Sequence, residues 1–181
     1  MQGVVIFTQK CSDGFDSARS ISLWAGRYAR YAGLPAGEGL TPVRCGMAKP
    51  RFAGVPIEFS ATHSGGYFAC AFSDRPVGLD LQEHRPCSCA GVARRFFHPA
   101  EYDYVLRAGE EGFFAVWCAK ESYVKYTGDG ITDRFGAFSV VRQGRLSPRV
   151  ESAFLRFLPF APGYTFCLCT ESDSLPRVFP E

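Results

Sequence analysis

The sequence predicts an α+β fold, and three observations lead to that class. Between residues 57 and 82, three strand-like runs follow one another, separated by the turns HSGG and SDRP. Residues 16–32 and 98–128 carry the start and stop signals of helices. Strand-like runs return after residue 135. Antiparallel strands and helices therefore occupy separate stretches of the chain, as in α+β proteins.

The first predicted elements are a strand and a helix. The apolar run VVIF at residues 4–7 predicts the strand. The helix covers residues 16–32, with Asp16 or Ser17 as its N-cap and Gly33 just beyond its end. Glycine, proline and basic residues fill positions 33–56, which predicts a loop with at most a short strand.

The next segments predict three strands. IEFSAT alternates between apolar and polar residues, YFACAF is an apolar run, and VGLDLQ alternates again. We expect YFACAF and VGLDLQ to pair as a hairpin across the SDRP turn.

Three helices and a C-terminal group of strands complete the predicted elements. A short helix is expected at about residues 89–97, and Pro99 and Glu101 suit the first turn of the next helix. A longer helix runs from Glu110 to about Gly128. The predicted strands that follow are FGAFSVVRQGRLSP, SAFLRFLPF and GYTFCLCT, and the polar tail after residue 171 is expected to be loose.

Composition limits the classes of partner. The chain has 181 residues, 46% of them hydrophobic, which is enough for one sizeable core or two small halves that share one. A net charge of +2 is too mild to indicate nucleic-acid binding. No apolar run approaches membrane-spanning length, and the N-terminal run lacks the basic lead and cleavage site of a signal peptide.

The eight cysteines predict reduced thiols in the cytoplasm. None of them forms a C-x-x-C pair, and the two C-x-C pairs, Cys87 with Cys89 and Cys167 with Cys169, have a poor spacing for zinc. Four cysteines lie in apolar segments, where a free cysteine behaves as a small hydrophobe: Cys70, Cys118, Cys167 and Cys169.

The first candidate site is the helical segment WCAKESYVKYTGDG. Lysine is scarce, with four in the chain against sixteen arginines, yet Lys120 and Lys125 fall close together here. At about 100° per residue, Trp117, Glu121 and Lys125 share one arc of the helix, with Lys120 at its edge. A carboxylate between two ammonium groups suits a site for phosphate and a metal ion. An ordinary solvated pair between Glu121 and Lys125 remains the alternative.

A second candidate lies on the strand VGLDLQ. Asp80 and Gln82 share one face of this alternating strand, while Leu79 and Leu81 point the other way. Gln82 offers a neutral oxygen where a second carboxylate would suit a cation site. The alternative is an aspartate that belongs to a turn.

Two further groups are weaker candidates. His63 and Ser64 in SATHSGG can donate hydrogen bonds to phosphate, although a plain hairpin turn with a satisfied histidine is the more common origin of such a motif. Lys49, Arg51 and Arg19 suit a basic pocket, although each taken singly is more often a solvated charge.

Five motifs then occur in a characteristic order. They are KP (49–50), FSATHSGG (59–66), VGLDLQ (77–82), RRFFHPAEY (94–102) and WCAKESYVK (117–125). Their order and spacing resemble those of the 4′-phosphopantetheinyl transferases of the Sfp type, over roughly residues 16–170.

The resemblance implies a fold of two similar α/β halves packed pseudo-symmetrically, residues 1–77 and 78–181, within a single structural unit. Coenzyme A and Mg²⁺ would bind between the halves. The implied reaction moves 4′-phosphopantetheine from coenzyme A to a serine of an apo acyl or peptidyl carrier protein and releases 3′,5′-ADP. Fatty acid, polyketide and nonribosomal peptide carriers all remain open. The protein would be a cytoplasmic monomer without nucleic-acid or membrane partners.

The resemblance also implies roles for individual residues. Asp80 and Glu121 would bind Mg²⁺, with Gln82 where the family usually has a second acid, and Glu121 is the favoured base. Lys120 would share the catalytic site with them. The expected coenzyme A contacts are Arg19, Ser20 and Lys49 towards the 3′-phosphate and adenine, His63 and Ser64 at the phosphates, and Lys120 and Lys125 at the phosphates or the pantetheine arm.

Two other classes of protein compete with this reading. One is a coenzyme A-binding or carrier-binding module without catalysis, which the presence of Asp80, Glu121 and both lysines disfavours. The other is a different Mg²⁺-dependent phosphotransferase, but the sequence has no Walker loop or kinase motif. The tripeptide DSL at 173–175 resembles a carrier's modification site, but Pro176 follows it at once.

Overall fold

The structure is a computed structural model that describes residues 3–35, 40–44, 46, 49–128 and 133–181. In chain order its elements are β1 (Val5–Lys10), α1 (Ser17–Tyr31), β2 (Pro42–Val43), β3 (Arg51–Phe52), β4 (Glu58–Ser64), β5 (Tyr67–Ser73), β6 (Val77–Glu83), α2 (Cys89–Phe96), α3 (Pro99–Thr127), a 3₁₀ turn (Asp133–Gly136), β7 (Val141–Arg142), β8 (Arg145–Leu146), β9 (Arg149–Val150), β10 (Ala153–Phe157), β11 (Tyr164–Thr170) and β12 (Arg177–Pro180).

Most strands belong to two four-stranded sheets. The first sheet has the order β12-β1-β5-β4, and the second has the order β6-β11-β10-β9. Within the first sheet β12 runs parallel to β1, and the other pairings are antiparallel. Sheets and helices occupy separate parts of the chain, so the predicted α+β class is confirmed.

Three hydrophobic clusters stack these elements in the order helix, sheet, sheet, helix. Trp24 and Tyr28 of α1 pack with aromatic residues on one face of the first sheet. The opposite face of that sheet meets Leu79 and Leu81 of the second sheet. The far face of the second sheet packs against α2 and α3. The two leucines therefore point into the core between the sheets, as their alternation with Asp80 predicts.

A row of hydroxyl groups joins the edges of the two sheets. Ser60, Thr62 and Ser64 project from β4 at every second position. They accept hydrogen bonds from the backbone N–H groups of Leu79, Leu81 and Glu83 at 2.9, 3.2 and 2.9 Å. Strand β6 therefore satisfies its free edge with side chains instead of a neighbouring strand.

The helix signals in the sequence are confirmed at both ends of α1 and α3. Asp16 caps α1 by accepting from the N–H groups of Ala18 and Arg19. His98 and Glu101 form a capping box at the start of α3. Gly109, with φ 68° and ψ −150°, interrupts α3, which matches two predicted helices on either side of it.

The predicted hairpin of YFACAF with VGLDLQ is wrong. Strand β5 pairs with β4 across Gly65 and Gly66, and it pairs with β1 on its other side. Strand β6 crosses to the second sheet and pairs with β11. Alternation indicates that a segment is a strand, but it does not choose the partner of that strand.

Two expectations for the C-terminal part also need correction. The tail after residue 171 is not loose throughout, because β12 pairs with β1 and Arg27 forms an ion pair with Glu181. The segment FGAFSVVRQGRLSP is not a long strand, since it forms the 3₁₀ turn and the two-residue strands β7 and β8.

The expectation that the cysteines are all reduced is corrected in one place, because Cys87 and Cys89 form a disulfide. The cysteines of the apolar segments are free and buried, as expected: Cys70, Cys118, Cys167 and Cys169. Cys45 lies outside the described residues. No helix in the described ranges combines the length and the apolar character that crossing a membrane requires.

Candidate active site

A pocket of about 840 Å³ opens where the β4–β5 hairpin, strand β6 and helix α3 meet. The hairpin contributes His63 and Ser64, and β6 contributes Asp80 and Gln82. The helix contributes Phe113, Phe114, Trp117, Glu121 and Lys125. Trp117, Glu121 and Lys125 thus face one cavity, on the shared arc that their spacing predicts.

The approach of α3 to β6 depends on Gly78. A Cβ atom at this position would lie 1.8 Å from the backbone oxygen of Ser122 and 2.5 Å from the backbone nitrogen of Tyr126. Only glycine lets the helix backbone come this close to the strand. The contact carries Asp80 and Glu121 to the same wall of the pocket.

Asp80 is held in one orientation by three donors. Lys125 Nζ lies 2.6 Å from Asp80 Oδ1, and Thr62 Oγ1 donates to the same oxygen at 3.2 Å. Gln82 Nε2 donates to Asp80 Oδ2 at 3.0 Å. The carboxylate is only 2% exposed, so these bonds replace the water that it would otherwise bind.

Glu121 differs from Asp80 because no described residue gives its carboxylate a hydrogen bond or an ion pair within 4 Å. It is 7% exposed and lines the pocket. Burial, and then the charge of Asp80, raise the pKa of Glu121 to about 7, against the opposing effect of Lys125. Glu121 is therefore a carboxyl group that can hold or release a proton near neutral pH.

The two lysines of the motif have different environments. Lys125 lines the pocket, keeps 29% of its side chain exposed and pairs with Asp80. Lys120 is fully buried and lies 2.9 Å from the carboxylate of Glu101, which is also fully buried. Its ammonium also donates to the carbonyl oxygen of Phe138 at 2.7 Å and lies 3.9 Å from the centre of the Phe138 ring.

The structure places the Lys120 ammonium away from the lining of the pocket, so the expected contact with coenzyme A stays a prediction without support from this geometry. One residue along a helix is a rotation of about 100°, which takes Lys120 off the arc of Glu121 and Lys125. Its charge is satisfied by Glu101 and Phe138 inside the protein. Burial lowers the pKa of Lys120, and the Glu101 carboxylate opposes that effect.

His63 and Ser64 lie on the hairpin side of the pocket, in the region expected for them. The exposed His63 ring stacks on Phe15 with centroids 6.4 Å apart. The Ser64 oxygen accepts from Glu83 N, so its hydroxyl hydrogen remains free to donate.

Arg19, Ser20 and Lys49 lie outside the wall of this pocket. Arg19 is exposed on α1, and the Ser20 hydroxyl reaches Gln9 Oε1 at 3.4 Å. Lys49 Nζ donates to the carbonyl oxygen of Val77 at 2.7 Å, and burial lowers its pKa. The structure thus does not bring these three residues to the Asp80–Glu121 pair.

Thr62 and Arg85 were missed by the sequence reasoning, although both line the pocket. Thr62 joins the two sheets and orients Asp80 through one hydroxyl. Its position two residues from Ser60 and Ser64 was the available signal, because the alternation puts all three hydroxyls on one face of the strand. Arg85 pairs with Glu83 at the mouth of the pocket, and nothing local in the sequence marks it.

Tyr164 links the tip of the β4–β5 hairpin to Glu83 of β6. Its hydroxyl donates to Glu83 Oε1 at 3.1 Å and accepts from Gly66 N at 3.3 Å. A Cβ atom at Gly65 would lie 2.4 Å from the same hydroxyl, and Gly65 has φ +55°. The hairpin tip can therefore reach the second sheet only with glycine at position 65.

The donor atoms of the pocket fit a hard divalent cation. Asp80 and Glu121 supply two neighbouring carboxylates on the pocket wall. Mg²⁺ takes one or two protein carboxylates together with water and substrate phosphate oxygens.

No cluster of three or more His, Cys, Asp and Glu side chains suited to a metal occurs in the described part of the chain. Gln82 donates to Asp80 here, so its oxygen is a third potential ligand only after the amide turns.

Comparisons with known proteins agree with this arrangement. Residues 76–173 match the model of the 4′-phosphopantetheinyl transferase superfamily, and this range includes Asp80, Glu121 and Lys125. The chain is 29% identical over 140 residues to 4′-phosphopantetheinyl transferase Sfp of Bacillus subtilis strain 168, covering 71% of this chain and 62% of that protein. It is 31% identical over 140 residues to 4′-phosphopantetheinyl transferase psf-1 of Bacillus pumilus, covering 71% and 60%.

A shorter match reaches higher identity. The chain is 40% identical over 87 residues to 4′-phosphopantetheinyl transferase HetI of Nostoc sp. strain PCC 7120, covering 45% of this chain and 37% of that protein. The chain spans about three fifths of the length of the Bacillus relatives. Because the family model covers more than half of the residues, including the wall that carries both carboxylates, the chain belongs to the 4′-phosphopantetheinyl transferase superfamily.

Proposed function

We propose that the protein transfers 4′-phosphopantetheine from coenzyme A to a serine of an apo carrier protein and releases 3′,5′-ADP. The observation that carries the proposal is the meeting of Asp80, Glu121 and Lys125 on one wall of a pocket of about 840 Å³, which is ample for a nucleotide-sized substrate. Two carboxylates and an ammonium group suit a pyrophosphate with a divalent cation.

Mg²⁺ is part of this proposal, with Asp80 and Glu121 as its protein ligands and Gln82 beside them. When bound, it would neutralise negative charge on the pyrophosphate as the phosphorus–oxygen bond breaks. The three donors on Asp80 hold that carboxylate in place before any substrate arrives. This pre-arrangement reduces the reorganisation that substrate binding would otherwise require.

Glu121 is the proposed base. The serine oxygen of the carrier attacks the β-phosphorus of coenzyme A, the bond to 3′,5′-ADP breaks, and Glu121 accepts the proton of the serine hydroxyl. A carboxylate that lines the pocket is suited to accept this proton. Its lack of a fixed partner among the described residues leaves its oxygens free for this role.

Lys125, His63 and Ser64 are the proposed phosphate contacts. Lys125 lies within reach of both the carboxylates and the open pocket, so it can exchange Asp80 for a phosphate oxygen. His63 and Ser64 face the same cavity from the hairpin and can donate to phosphate oxygens. Lys120 supports the site from within the core by its pair with Glu101.

The overall organisation is also part of the proposal. We expect two similar halves, residues 1–77 and 78–181, in one monomeric structural unit. Each half supplies strands of one four-stranded sheet and a helix packed on it, which supports this division, although β12 returns to the first sheet. Acyl and peptidyl carriers of fatty acid, polyketide and nonribosomal peptide synthases are the candidate partners, in the cytoplasm.

The test is to incubate the protein with coenzyme A, Mg²⁺ and a panel of apo carriers, and to measure each carrier by intact-mass spectrometry. We expect at least one carrier to gain the mass of phosphopantetheine, and the gain to disappear with EDTA or with Glu121→Gln. A panel that binds the protein without any gain in mass would favour a non-catalytic carrier-binding module instead.

A further inference from the structure

The disulfide between Cys87 and Cys89 lies at the rim of the pocket. Cys87 is exposed and contributes to the pocket wall. Cys89 is half-buried, begins α2 and packs against the core of the second sheet. The Cα atoms are 5.2 Å apart, within the usual range for a disulfide. None of the roles proposed above uses either sulfur.

This disulfide closes a very short loop, which limits its value as a structural staple. The stabilisation from a cross-link grows with the length of the loop that it closes, and here a single residue, Ser88, separates the two cysteines. Exposed disulfides are also the ones that exchange with small thiols most readily. Loop length and exposure therefore indicate a reactive pair.

The two sulfur atoms differ in a way that sets the direction of exchange. Cys89 is the first residue of α2, where free backbone N–H groups favour a negative charge. Ser88 makes no side-chain cap bond there, and the first turn has no acidic residue. The N-terminus of a helix stabilises a thiolate, and a stabilised thiolate is a better leaving group. Cys87 is the sulfur that solvent and the pocket reach.

We propose that Cys87–Cys89 is a thiol–disulfide exchange site for low-molecular-weight thiols. A thiolate attacks Cys87 Sγ and forms a mixed disulfide, and Cys89 Sγ leaves as a thiolate that then takes up a proton. A second thiolate attacks the small-molecule sulfur of the mixed disulfide, and Cys87 Sγ leaves as a thiolate. The sum converts two small thiols and the protein disulfide into one small disulfide and two protein thiols. The reverse reaction uses the small disulfide as the oxidant.

Exchange at this position would change the rim of the pocket. The disulfide ties the segment after β6 to the start of α2, and both Cys87 and Val92 line the pocket. A mixed disulfide would add the bulk of the small thiol to the wall at Cys87. The exchange reaction itself does not depend on the transfer activity proposed above.

The test is to equilibrate the folded protein with a series of ratios of reduced to oxidised glutathione, alkylate the free thiols, and map the alkylated peptides by mass spectrometry. We expect Cys87 and Cys89 to change together from disulfide to two alkylated thiols within the series. The buried Cys70, Cys118, Cys167 and Cys169 should stay unalkylated while the protein is folded.

Early trapping of the mixed disulfide tests the direction of attack. Samples of the parent protein that are acid-quenched and alkylated soon after reduced glutathione is added should carry glutathione on Cys87 and the alkyl group on Cys89, because Cys87 is the more exposed sulfur. Cys11→Ser is the matched control and should leave the behaviour of the pair unchanged. A pair that stays a disulfide at every ratio, a pair that is dithiol at every ratio, or early adducts divided equally between Cys87 and Cys89 would overturn the proposal. The titration of the parent protein decides the first two outcomes without any variant.

Discussion

Replacing Lys120 should damage stability much more than replacing Lys125. Lys120→Met removes the cation and leaves the fully buried carboxylate of Glu101 without its ion-pair partner. Removing one partner of a buried ion pair costs about 3–5 kcal/mol, because the remaining charge is neither solvated nor paired. The Glu101 carboxylate keeps two backbone donors, His98 N and Val140 N, which hold the cost within that range.

Denaturation by urea and by heat measures this loss. For a chain of this size, each kcal/mol lowers the unfolding midpoint by about 2–4 °C, so we expect Lys120→Met to lower it by about 6–20 °C. A double-mutant cycle with Glu101→Gln isolates the pair, and the double variant should be more stable than the two separate losses predict, by about 0.5–3 kcal/mol.

Lys125→Met is the matched comparison on the same helix. Lys125 is partly exposed, and water in the pocket can hydrate Asp80 after the substitution, so the expected stability loss is about 1 kcal/mol or less. Transfer by Lys125→Met should fall on the order of 10²-fold, the usual cost of losing one donor to a developing negative charge. The assay is kcat/KM for coenzyme A at fixed carrier and Mg²⁺.

One result would refute this division of roles. If Lys120→Met unfolded at the midpoint of the parent protein and yet lost transfer as severely as Lys125→Met, Lys120 would have to contact the substrate. Its burial against Glu101 would then not describe the active protein.

Three other substitutions test the pocket and the core. Glu121→Gln removes a buried carboxylate beside Asp80 that has no ion-pair partner among the described residues, so it should lower transfer by about 10²–10⁴-fold without lowering the unfolding midpoint; a folded variant with normal transfer would contradict the assignment of the base. Gln82→Glu places a third carboxylate next to Asp80 and should lower the Mg²⁺ concentration for half-maximal transfer, whereas an unchanged titration would place Gln82 outside the cation's surroundings. Tyr28→Phe removes a buried hydroxyl that has no hydrogen-bond partner among the described residues. In urea denaturation this variant should be as stable as the parent protein or more stable by about 1–3 kcal/mol. A clear loss of stability would show that the hydroxyl has a partner.

Several features of the fold could be predicted because they depend on short stretches of chain. The caps of α1 and α3 involve residues at most three positions apart, as at Asp16 and at His98 with Glu101. Such contacts are set by local backbone geometry and by the type of side chain. The placement of Trp117, Glu121 and Lys125 on one arc follows in the same way from the helical repeat.

Strand partners could not be predicted in this way. The alternation in VGLDLQ correctly places Leu79 and Leu81 on the face opposite Asp80, but it is silent about the strand that lies alongside. The partner of β6 is β11, more than eighty positions later in the chain. The tail that looked loose pairs with β1 at the opposite end of the sequence. These pairings depend on how the whole core packs.

The sequence alone determined the family resemblance, the main helix ends, and the choice of Asp80 and Glu121 as candidate ligands, because ordered motifs and short spacings carry that information. Only the tertiary structure decided what surrounds the two lysines. Lys120 and Lys125 belong to one motif and look alike in sequence, but Glu101 and the Phe138 carbonyl enclose the first, while Asp80 holds the second at the edge of the pocket. An ammonium group takes its role from the charges and the water around it, and distant parts of the chain supply both.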